Sequence, residues 1–346
     1  MTRTLDTKIY VLRNGARFSE LEMAPDSAPR IRCSDDAEIK MSLVGSFRPN
    51  AAVDWLSDEL QAVLAIDGVE HSVGTFLPAS VSEEDLEGQK TLQVEAYDRC
   101  WRVQTEDAGS LSEIQAGQAY LAAVESILVR AGIGLVTATA NSAVLTSGRV
   151  WTGKTNPLQM VNELLAEINY KPLWFTPEGV AVLEPYAEPT VENIQHTLDG
   201  DDVRSLLLPQ ISRKTDIFSA PNVFVCVCAS PDRESILTAT AVNDSPTSPL
   251  SVMRRGRRIA QTIQVRNISS QEELQAYADR LRNESMLRGE TIAVETALLP
   301  GYGVGDVVAL HYGEVSALCL DRAWEMDFRV GGTMRHTLER VVANIG

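Results

Sequence analysis

One stretch of the sequence matches a phosphate-binding motif at every required position. Gly148 to Thr155 reads GRVWTGKT, which fits the pattern G-x-x-x-x-G-K-[ST] of nucleotide hydrolases. In those proteins a buried strand precedes the loop, and a helix begins at the Lys-Thr pair so that its free amide groups point at a phosphate. Lys154 and Thr155 are therefore the residues on which nucleotide chemistry would depend.

The surroundings of this motif do not favour that chemistry. The preceding segment, TATANSAVLTS, is too polar and too small in its side chains for a central parallel strand. Pro157 is typical of the first position of a helix, which places the helix start beyond Lys154 and Thr155. Trp151 adds bulk within the loop. We therefore expect a chance match and keep a P-loop-type nucleotide site as an alternative hypothesis.

The other candidates for acid–base, nucleophilic or metal chemistry stand alone in the sequence. The four histidines lack the paired spacing of zinc ligands; they are His71, His196, His311 and His336. Cys226 and Cys228 would share one face of a strand, but no second Cys or His pair lies at ligand spacing, so buried core positions are favoured. No catalytic, cofactor-binding or metal-ligating residue is predicted, and no cofactor.

Three charged clusters are expected to lie at the surface. The acidic runs Ser82–Asp85 and Asp199–Asp202 are typical of solvated turns, and neither marks an acid–base pair. The basic cluster Arg254–Arg258 has no aromatic residue nearby to stack on bases, as a nucleic-acid patch normally would. We expect this basic cluster to pair with acidic groups, within the chain or across a subunit contact.

The overall charge and the absence of long apolar stretches exclude several classes of protein. The chain has 346 residues and a net charge of −16, which disfavours binding to the anionic backbone of nucleic acids. No stretch approaches the roughly 20 apolar residues of a membrane helix, and the N-terminus lacks the apolar segment of a secretory signal. We expect a soluble chain made in a cytoplasm, with no membrane partner and no specific nucleic-acid binding.

The first hundred residues carry the signals of strands and tight turns. Asn14-Gly15 and Asp67-Gly68 each separate two β-prone runs, as in two-residue hairpins. Residues 60–66 alternate as a strand would, although a helix ending at Gly68 stays open. A last strand is predicted over residues 91–104. Residues 1–107 are therefore predicted to form a small antiparallel β-barrel.

The middle of the chain has helical periodicity. A helix is predicted over residues 119–131, and a second begins with Asn156 as its cap and Pro157 at its first position. A hairpin that turns at Gly179 follows. Residues 108–195 are predicted to form an α/β unit.

Residues 196–346 return to short strands, interrupted by one helix. Ser270 and Glu273 form a capping box that begins this helix, which places a helical insertion at residues 268–289. The remaining segments, including NVFVCVCAS, SILTATAVN and IAQTIQV, are assigned to a second barrel. The predicted fold class is α+β and mostly β, with no repeat detectable between the two barrels at the level of residues.

The order of these segments resembles the baseplate hub proteins of contractile-tailed and related long-tailed phages, including those of Bacillus defective prophages. The resemblance is spread over nearly the whole chain and rests on these pieces: VGSFRPNAAVDWLSDELQAVLAIDGVEHSVGTF, LQVEAYDRCW, NPLQMVNELLAEINYKPLWFTPEGVAVLEPY, the Ala220-Pro221-Asn222-Val223 segment, NDSPTSP, Gly256-Arg257 and the run from Pro300 ending in GDVVAL. We expect no appended lysozyme, peptidase or sugar-binding module, which weakens the further alternative of a cell-wall hydrolase.

The resemblance implies a structural role without enzymatic activity. Hub proteins of this family carry two barrels that are similar to the tail tube subunit. A homotrimer would therefore present six barrels to the hexameric tube and keep threefold symmetry for the trimeric central spike. The implied partners are other copies of the chain, the tube protein and the spike, with the tape-measure and wedge proteins as further candidates. The implied location is the tail baseplate of a virion, assembled in the bacterial host cytoplasm around a channel for DNA.

Overall fold

The computed structural model shows a mostly β protein of the α+β class, as the sequence predicts. It describes residues 3–25, 27–86, 88–107, 113–151, 155–202, 205–214, 220–228, 236–265, 268, 270–287 and 290–341. Four units follow from the strand pairing and the buried clusters: a first sheet unit, a central unit, an inserted unit and a second sheet unit.

The first sheet unit contains seven strands. They are β1 (Leu5–Arg13), β2 (Ala16–Glu20), β3 (Arg30–Ser34), β4 (Met41–Phe47), β5 (Glu59–Ile66), β6 (Val69–Leu86) and β7 (Gln89–Tyr97). Both predicted hairpins are confirmed, because Asn14-Gly15 and Asp67-Gly68 adopt the positive φ angles that a two-residue turn requires. Residues 59–66 form a strand, which excludes the open alternative of a helix there.

The sheet of this unit curls back towards its own beginning. The hydrogen-bonded order is β2-β1-β5-β6-β7-β4-β3. The segment after β2 reaches β4 through two backbone hydrogen bonds, from Ala24 N to Ser46 O at 2.9 Å and from Arg48 N to Glu22 O at 2.8 Å. Closure into a barrel of the tube-protein type stays a prediction.

The central unit packs helices on small sheets. It contains α1 (Arg99–Thr105), β8 (Glu113–Ile114), α2 (Tyr120–Arg130), β9 (Val136–Ala138), β10 (Arg149–Val150), α3 (Pro157–Glu167), β11 (Trp174–Phe175) and β12 (Ala181–Leu183). The two predicted helices are confirmed as α2 and α3, with Asn156 accepting a hydrogen bond from Gln159 N at the start of α3. The strand predicted over residues 91–104 is wrong beyond Tyr97, because Asp98 caps α1 by accepting a hydrogen bond from Cys100 N.

The rest of the chain forms the second sheet unit and the inserted unit. In chain order the elements are β13 (His196–Asp199), β14 (Leu207–Lys214), β15 (Val223–Cys228), β16 (Leu237–Val242), α4 (Val252–Arg255), β17 (Ala260–Val265), α5 (Gln271–Leu287), β18 (Thr291–Ala297), β19 (Val307–Tyr312), β20 (Val315–Asp327) and β21 (Thr333–Arg340). The helix predicted in the insertion is confirmed as α5, and Ser270 accepts a hydrogen bond from Glu273 N at its start.

The inserted unit corrects one assignment made from the sequence. Strands β15, β16 and β17 do not join the second sheet but form a sheet of their own, ordered β16-β15-β17. Helix α5 covers this sheet, with Leu274 and Ala278 buried against Cys226 and Cys228. The helix and the strands bury one another's apolar faces, so the insertion includes three strands and not the helix alone.

The two sheet units are joined into one sheet. Strand β20 pairs antiparallel with β3, and this pairing extends the path from β2 to β14 through both units. A single buried cluster spans them, and it includes Phe47 and Phe76 from the first unit and Trp324 and Phe328 from the second.

Candidate assembly surface

The two sheet units repeat one arrangement of strands. The hydrogen-bonded order β5-β6-β7-β4-β3 in the first unit corresponds to β19-β20-β21-β18-β14 in the second. In each unit one long strand, β6 or β20, pairs first with the strand before it and then with the strand after it. The long strands also bulge at the same place, between Pro78 and Ser80 in β6 and between Asp321 and Ala323 in β20.

The matching bulges set a residue-by-residue correspondence between the units. Val81 and Trp324 are each the first residue after the bulge pair, and they pair with Val94 and His336. Val81 is therefore equivalent to Trp324, and Val94 is equivalent to His336. The correspondence continues outward, because β4 and β18 pair with β7 and β21 at matching positions. Strand β14 therefore occupies in the second unit the place that β3 occupies in the first.

Inside the chain, the two units meet at one strand pair that we call the seam, formed by Arg30–Ser34 of β3 and Ala323–Asp327 of β20. One face of the seam carries ion pairs: Arg32 Nε lies 2.5 Å and Arg30 Nε 3.2 Å from the carboxylate of Glu325. The other face is buried and apolar; it consists of Ile31, Cys33, Trp324 and Met326. A basic strand thus meets an acidic strand above an apolar layer.

Two strand edges equivalent to the seam are not covered by any described strand. The second half of β6 pairs with β7 on one side only, and β14 pairs with β18 on one side only. The run Ser82–Asp85, expected in a turn, instead lies exposed along β6. The exposed edge of β14 ends in Arg213 and Lys214.

A groove of about 740 Å³ lies beside the edge of β6. It is lined by Leu77–Val81 of that strand, by Trp55–Glu59, and by Trp101, Arg102 and Thr105 of α1. Leu56 is 99% exposed, and Val81 is 37% exposed. Apolar side chains therefore flank an unpaired strand edge, which is typical of a surface that becomes covered on assembly.

Two residues within the phosphate-binding motif, Arg149 and Trp151, contact the helix that follows it. Arg149 forms an ion pair with Glu167 of α3, and Trp151 Nε1 donates to Glu163 Oε2 at 2.7 Å. Strand β10 is two residues long and antiparallel to β8, whereas a phosphate-binding loop follows a parallel strand. Helix α3 begins at Pro157, after Thr155. Lys154 lies outside the described residues.

Glu167, in this same cluster, has a pKa well above the usual value of a carboxyl group. Burial raises the pKa of Glu167 to about 7, and the neighbouring Arg149 guanidinium opposes that rise. Both side chains are almost fully buried, with 7% and 8% of their side-chain surfaces exposed. Because both groups are enclosed between strand and helix, they hold α3 to β10 rather than face a ligand.

Two of the four histidines belong to a buried polar array in the second sheet unit. His336 Nδ1 lies 2.7 Å from Asp321 Oδ2, and its Nε2 lies 3.2 Å from Thr296 Oγ1. Tyr302 stacks on His196 at 3.8 Å between ring centroids, and His196 Nε2 contacts Asp306 Oδ2 at 3.0 Å. The sequence does not reveal this array, because its members come from separate strands and loops.

The carboxylate–imidazole–hydroxyl order in this array resembles a catalytic triad, but its burial argues against catalysis. His336 and Thr296 have no exposed surface, and Asp321 is 1% exposed. A substrate cannot reach Thr296 Oγ1 without opening the sheet. Burial also raises the pKa of Asp321, and its contact with His336 opposes that rise. The array therefore acts as a polar core.

The other singled-out residues lie apart from this array. His71 lies on β6, and His311 Nδ1 contacts Ser316 Oγ at 3.1 Å. Cys226 and Cys228 are buried. Among the described residues, no group of three His, Cys, Asp or Glu side chains could hold a metal ion.

The remaining charged clusters lie at turns or short helices. Arg254 and Arg255 end α4, and Arg255 donates to the carbonyl oxygen of Ala220 at 2.6 Å. Asp201 lies in the exposed turn after β13, where its backbone N donates to Asp199 Oδ1 at 2.9 Å. No helix in the described ranges is long and apolar enough to span a membrane.

Several solved protein structures have a fold similar to that of this chain. The chain is similar to a tail protein from Neisseria meningitidis MC58, with a TM-score of 0.66, 13% identity, and coverage of 97% of this chain and 96% of that one. It is also similar to the 43 kDa tail protein of prophage MuSo2 from Shewanella oneidensis, with a TM-score of 0.67, 12% identity, and coverage of 97% and 98%.

A third similar structure is the prophage tail protein gp18 from Listeria monocytogenes EGD-e, with a TM-score of 0.57, 14% identity, and coverage of 97% and 95%. No protein-family model matches this sequence, and no curated protein sequence matches it. The chain thus has the fold of phage tail proteins along nearly its whole length, which agrees with the resemblance seen in the sequence.

Proposed function

We propose that this protein is a non-enzymatic baseplate hub of a phage or phage-like tail. Three copies form a ring that joins the hexameric tail tube to the trimeric central spike. The observation that carries the proposal is the seam, because β3 and β20 join two equivalent sheet units edge to edge within one chain. A contact of this head-to-tail kind, repeated between chains, produces a closed ring when the rotation closes.

The repeated units explain how such a ring adapts symmetry. Three chains with two equivalent units each present six similar strand arrangements to the sixfold tube. The central and inserted units occur once per chain, so they keep the threefold symmetry that a trimeric spike requires. The likeness to tail proteins from three bacterial sources supports a place in the tail. Assembly then takes place in the host cytoplasm, with the tape-measure and wedge proteins as further partners.

The charge of the chain suits a protein that surrounds passing DNA. A net charge of −16 per chain removes the counterion-release attraction that makes basic proteins hold nucleic acid. We therefore expect the ring to let DNA slide through its channel without binding it. A density map of the assembled ring with a basic channel wall would contradict this part of the proposal.

The trimer is tested by the mass of the full-length chain in solution. Light scattering should give three times the chain mass of 37.8 kDa, either for the protein alone or after mixing with the spike protein. Electron microscopy of that species should show a ring with six similar lobes. A monomer in both mixtures would overturn the adapter role.

The absence of enzymatic activity is tested by two assays. A titration with ATP and Mg²⁺ should give no binding at micromolar concentration, and Lys154→Ala should behave as the parent does. Zymography on host cell wall should give no clearing band. Micromolar ATP binding that Lys154→Ala abolishes, or a cleared band, would replace the structural role by a catalytic one.

A further inference from the structure

We propose that neighbouring copies join by antiparallel pairing of the outer half of β6 with β14 of the next copy. The inference deepens the proposed ring, on which it rests, by naming the strands, the register and the charges of the contact between chains. It uses only the seam and the correspondence between the two sheet units.

The strands follow from the correspondence. The seam pairs β20 of the second unit with β3 of the first. The equivalent of β20 in the first unit is β6, and the equivalent of β3 in the second unit is β14. These are the two strands whose outer edges no described strand covers. A copy of the seam between chains therefore uses β6 and β14 and satisfies both edges.

The register follows from the bulges. Glu83 lies in β6 where Met326 lies in β20, because both are three residues beyond the second residue of the bulge and pair with matching positions, Leu92 and Met334. Arg213 of β14 is equivalent to Ile31 of β3. Arg213 pairs with Ile292 and Ile31 pairs with Leu43, and these two partners occupy matching positions in β18 and β4.

Since Met326 faces Ile31 across the seam, Glu83 faces Arg213 of the next copy. By the same count, Ser82 faces Lys214 and Glu84 faces Ser212. Direct and diagonal neighbours on one face of an antiparallel pair lie within reach of long side chains. Glu83 and Arg213 form the direct pair, and Glu84 reaches Lys214 diagonally.

The two edges carry opposite charges, and the direct Glu83–Arg213 pair lies on the face that corresponds to the apolar face of the seam. In the seam, β3 supplies arginines and β20 supplies carboxylates. In the proposed contact, β14 supplies Arg213 and Lys214, and β6 supplies Glu83, Glu84 and Asp85. Glu83 already contacts Lys90 Nζ at 2.5 Å, and Arg213 Nε contacts Glu290 Oε1 at 2.5 Å, so the approaching charges extend two existing pairs into one network.

The groove beside β6 lies along Leu77–Val81, just beyond the point where the proposed pairing ends with Ser82 opposite Lys214 of the next copy. Leu56 and Val81 are exposed at this groove. In the second unit the corresponding edge, that of β20, is already filled by β3.

Disulfide trapping tests the register in the full-length protein. The double variant Glu83→Cys with Arg213→Cys should form covalent dimers and closed trimers under mild oxidation, because opposed Cβ atoms in such a pair lie within disulfide reach. The five native cysteines are buried and should not compete. The matched control is Glu83→Cys with Glu20→Cys, which offers β2, the other end strand of the sheet, and should stay monomeric on the gel.

Charge reversal tests the same contact without cross-linking. Glu83→Lys with Glu84→Lys should raise the dissociation constant of the ring about tenfold or more in low salt, because like charges then face Arg213 and Lys214. Adding Arg213→Glu and Lys214→Glu to the same chain should restore assembly. All four side chains are exposed, and circular dichroism should show an unchanged fold.

The outcomes separate this inference from the proposed function. A trimer by light scattering that forms no disulfide through Glu83→Cys and Arg213→Cys, or that cross-links equally through β2, overturns the strand pairing and leaves the hub intact. Failure of the second charge reversal to restore assembly also contradicts the pairing. A monomer under all conditions, including with the spike protein, overturns both proposals.

Discussion

The two sheet units share a strand order but differ in what fills them. Position for position, Phe47 of the first unit corresponds to Thr296 of the second, and Val94 corresponds to His336. The first unit buries aromatic and aliphatic side chains at these places, whereas the second buries a hydrogen-bonded polar array. The same order of strands therefore encloses an apolar core at these positions in one unit and a polar core in the other.

This difference also determines how each unit should respond to substitution. An apolar core loses stability in proportion to the volume that is removed. A buried polar array loses stability when one member is left without its partner, even where little volume changes.

The largest contrast is expected at the matched pair Phe47 and Thr296. Phe47→Ala should lower the free energy of unfolding by about 3–5 kcal/mol, since it empties a fully buried site. Thr296→Val conserves shape and removes only hydroxyl contacts, so it should cost about 1 kcal/mol. Urea denaturation of the two variants measures the difference. Equal losses would show that the two cores depend on packing in the same way.

A second contrast tests the polar array itself. Asp321→Ala should cost about 2–4 kcal/mol, because it leaves the buried His336 Nδ1 without its hydrogen-bond partner at 2.7 Å. Asp321→Asn retains a hydrogen-bonding side chain of the same shape and should cost less. Asp327→Ala, on the exposed face of the same strand, is the control and should change little. A loss at Asp327 as large as that at Asp321 would contradict the argument from burial.

A third prediction compares the pH dependence due to two buried carboxyl groups: Asp98, which follows β7 and accepts a hydrogen bond from Met41 N of the first sheet unit, and Asp321 of the second sheet unit. Burial raises the pKa of Asp98 from 3.8 to about 6 and also raises the pKa of Asp321. Each of these carboxyl groups therefore binds its proton more tightly in the folded protein than in the unfolded chain. The resulting stabilisation is complete below the unfolded pKa and is lost as the pH rises through the folded pKa.

For Asp98 the free energy of unfolding should fall by about 1–3 kcal/mol between pH 4 and pH 7. Urea denaturation across that range should show the fall, and Asp98→Asn should remove its share of the slope. Asp321→Asn should remove a separate share. A slope that neither variant changes would place the responsible groups elsewhere.

The smallest expected effect lies at the ion pairs of the seam. Arg32 and Glu325 are 57% and 32% exposed, and exposed pairs of this kind contribute little. A double-mutant cycle with Arg32→Ala and Glu325→Ala should give a coupling energy of about 0.2–1 kcal/mol, decreasing with added salt. A coupling above that range would mean that charge, rather than the buried layer beneath it, holds the two units together.

Local signals in the sequence predict much of the fold. Asn14-Gly15 and Asp67-Gly68 identify two hairpins, and Asn156 with Pro157 identifies the start of α3, because each depends on neighbouring residues alone. The order of segments was enough to identify a tail-protein fold. The inserted sheet was assigned wrongly, because the alternation that predicts a strand does not say which sheet the strand joins.

The candidate surface could be predicted only in part. The acidic run Ser82–Asp85 is visible in the sequence, but its position on a long strand depends on pairing with β7. The array around His336 and the seam between β3 and β20 bring together residues that lie far apart in the chain. No residue-level repeat was visible, because Val94 and His336 occupy the same place with unrelated side chains.

Carrying both sheet units on one polypeptide has a consequence for the concentration at which the ring would form. A contact within a chain is governed by an effective concentration set by the chain itself rather than by the amount of free protein. The link between β3 and β20 is therefore made once the chain folds, however dilute it is. In the proposed ring of three, half of the junctions would be complete before two molecules meet, and encounters need supply only the other half.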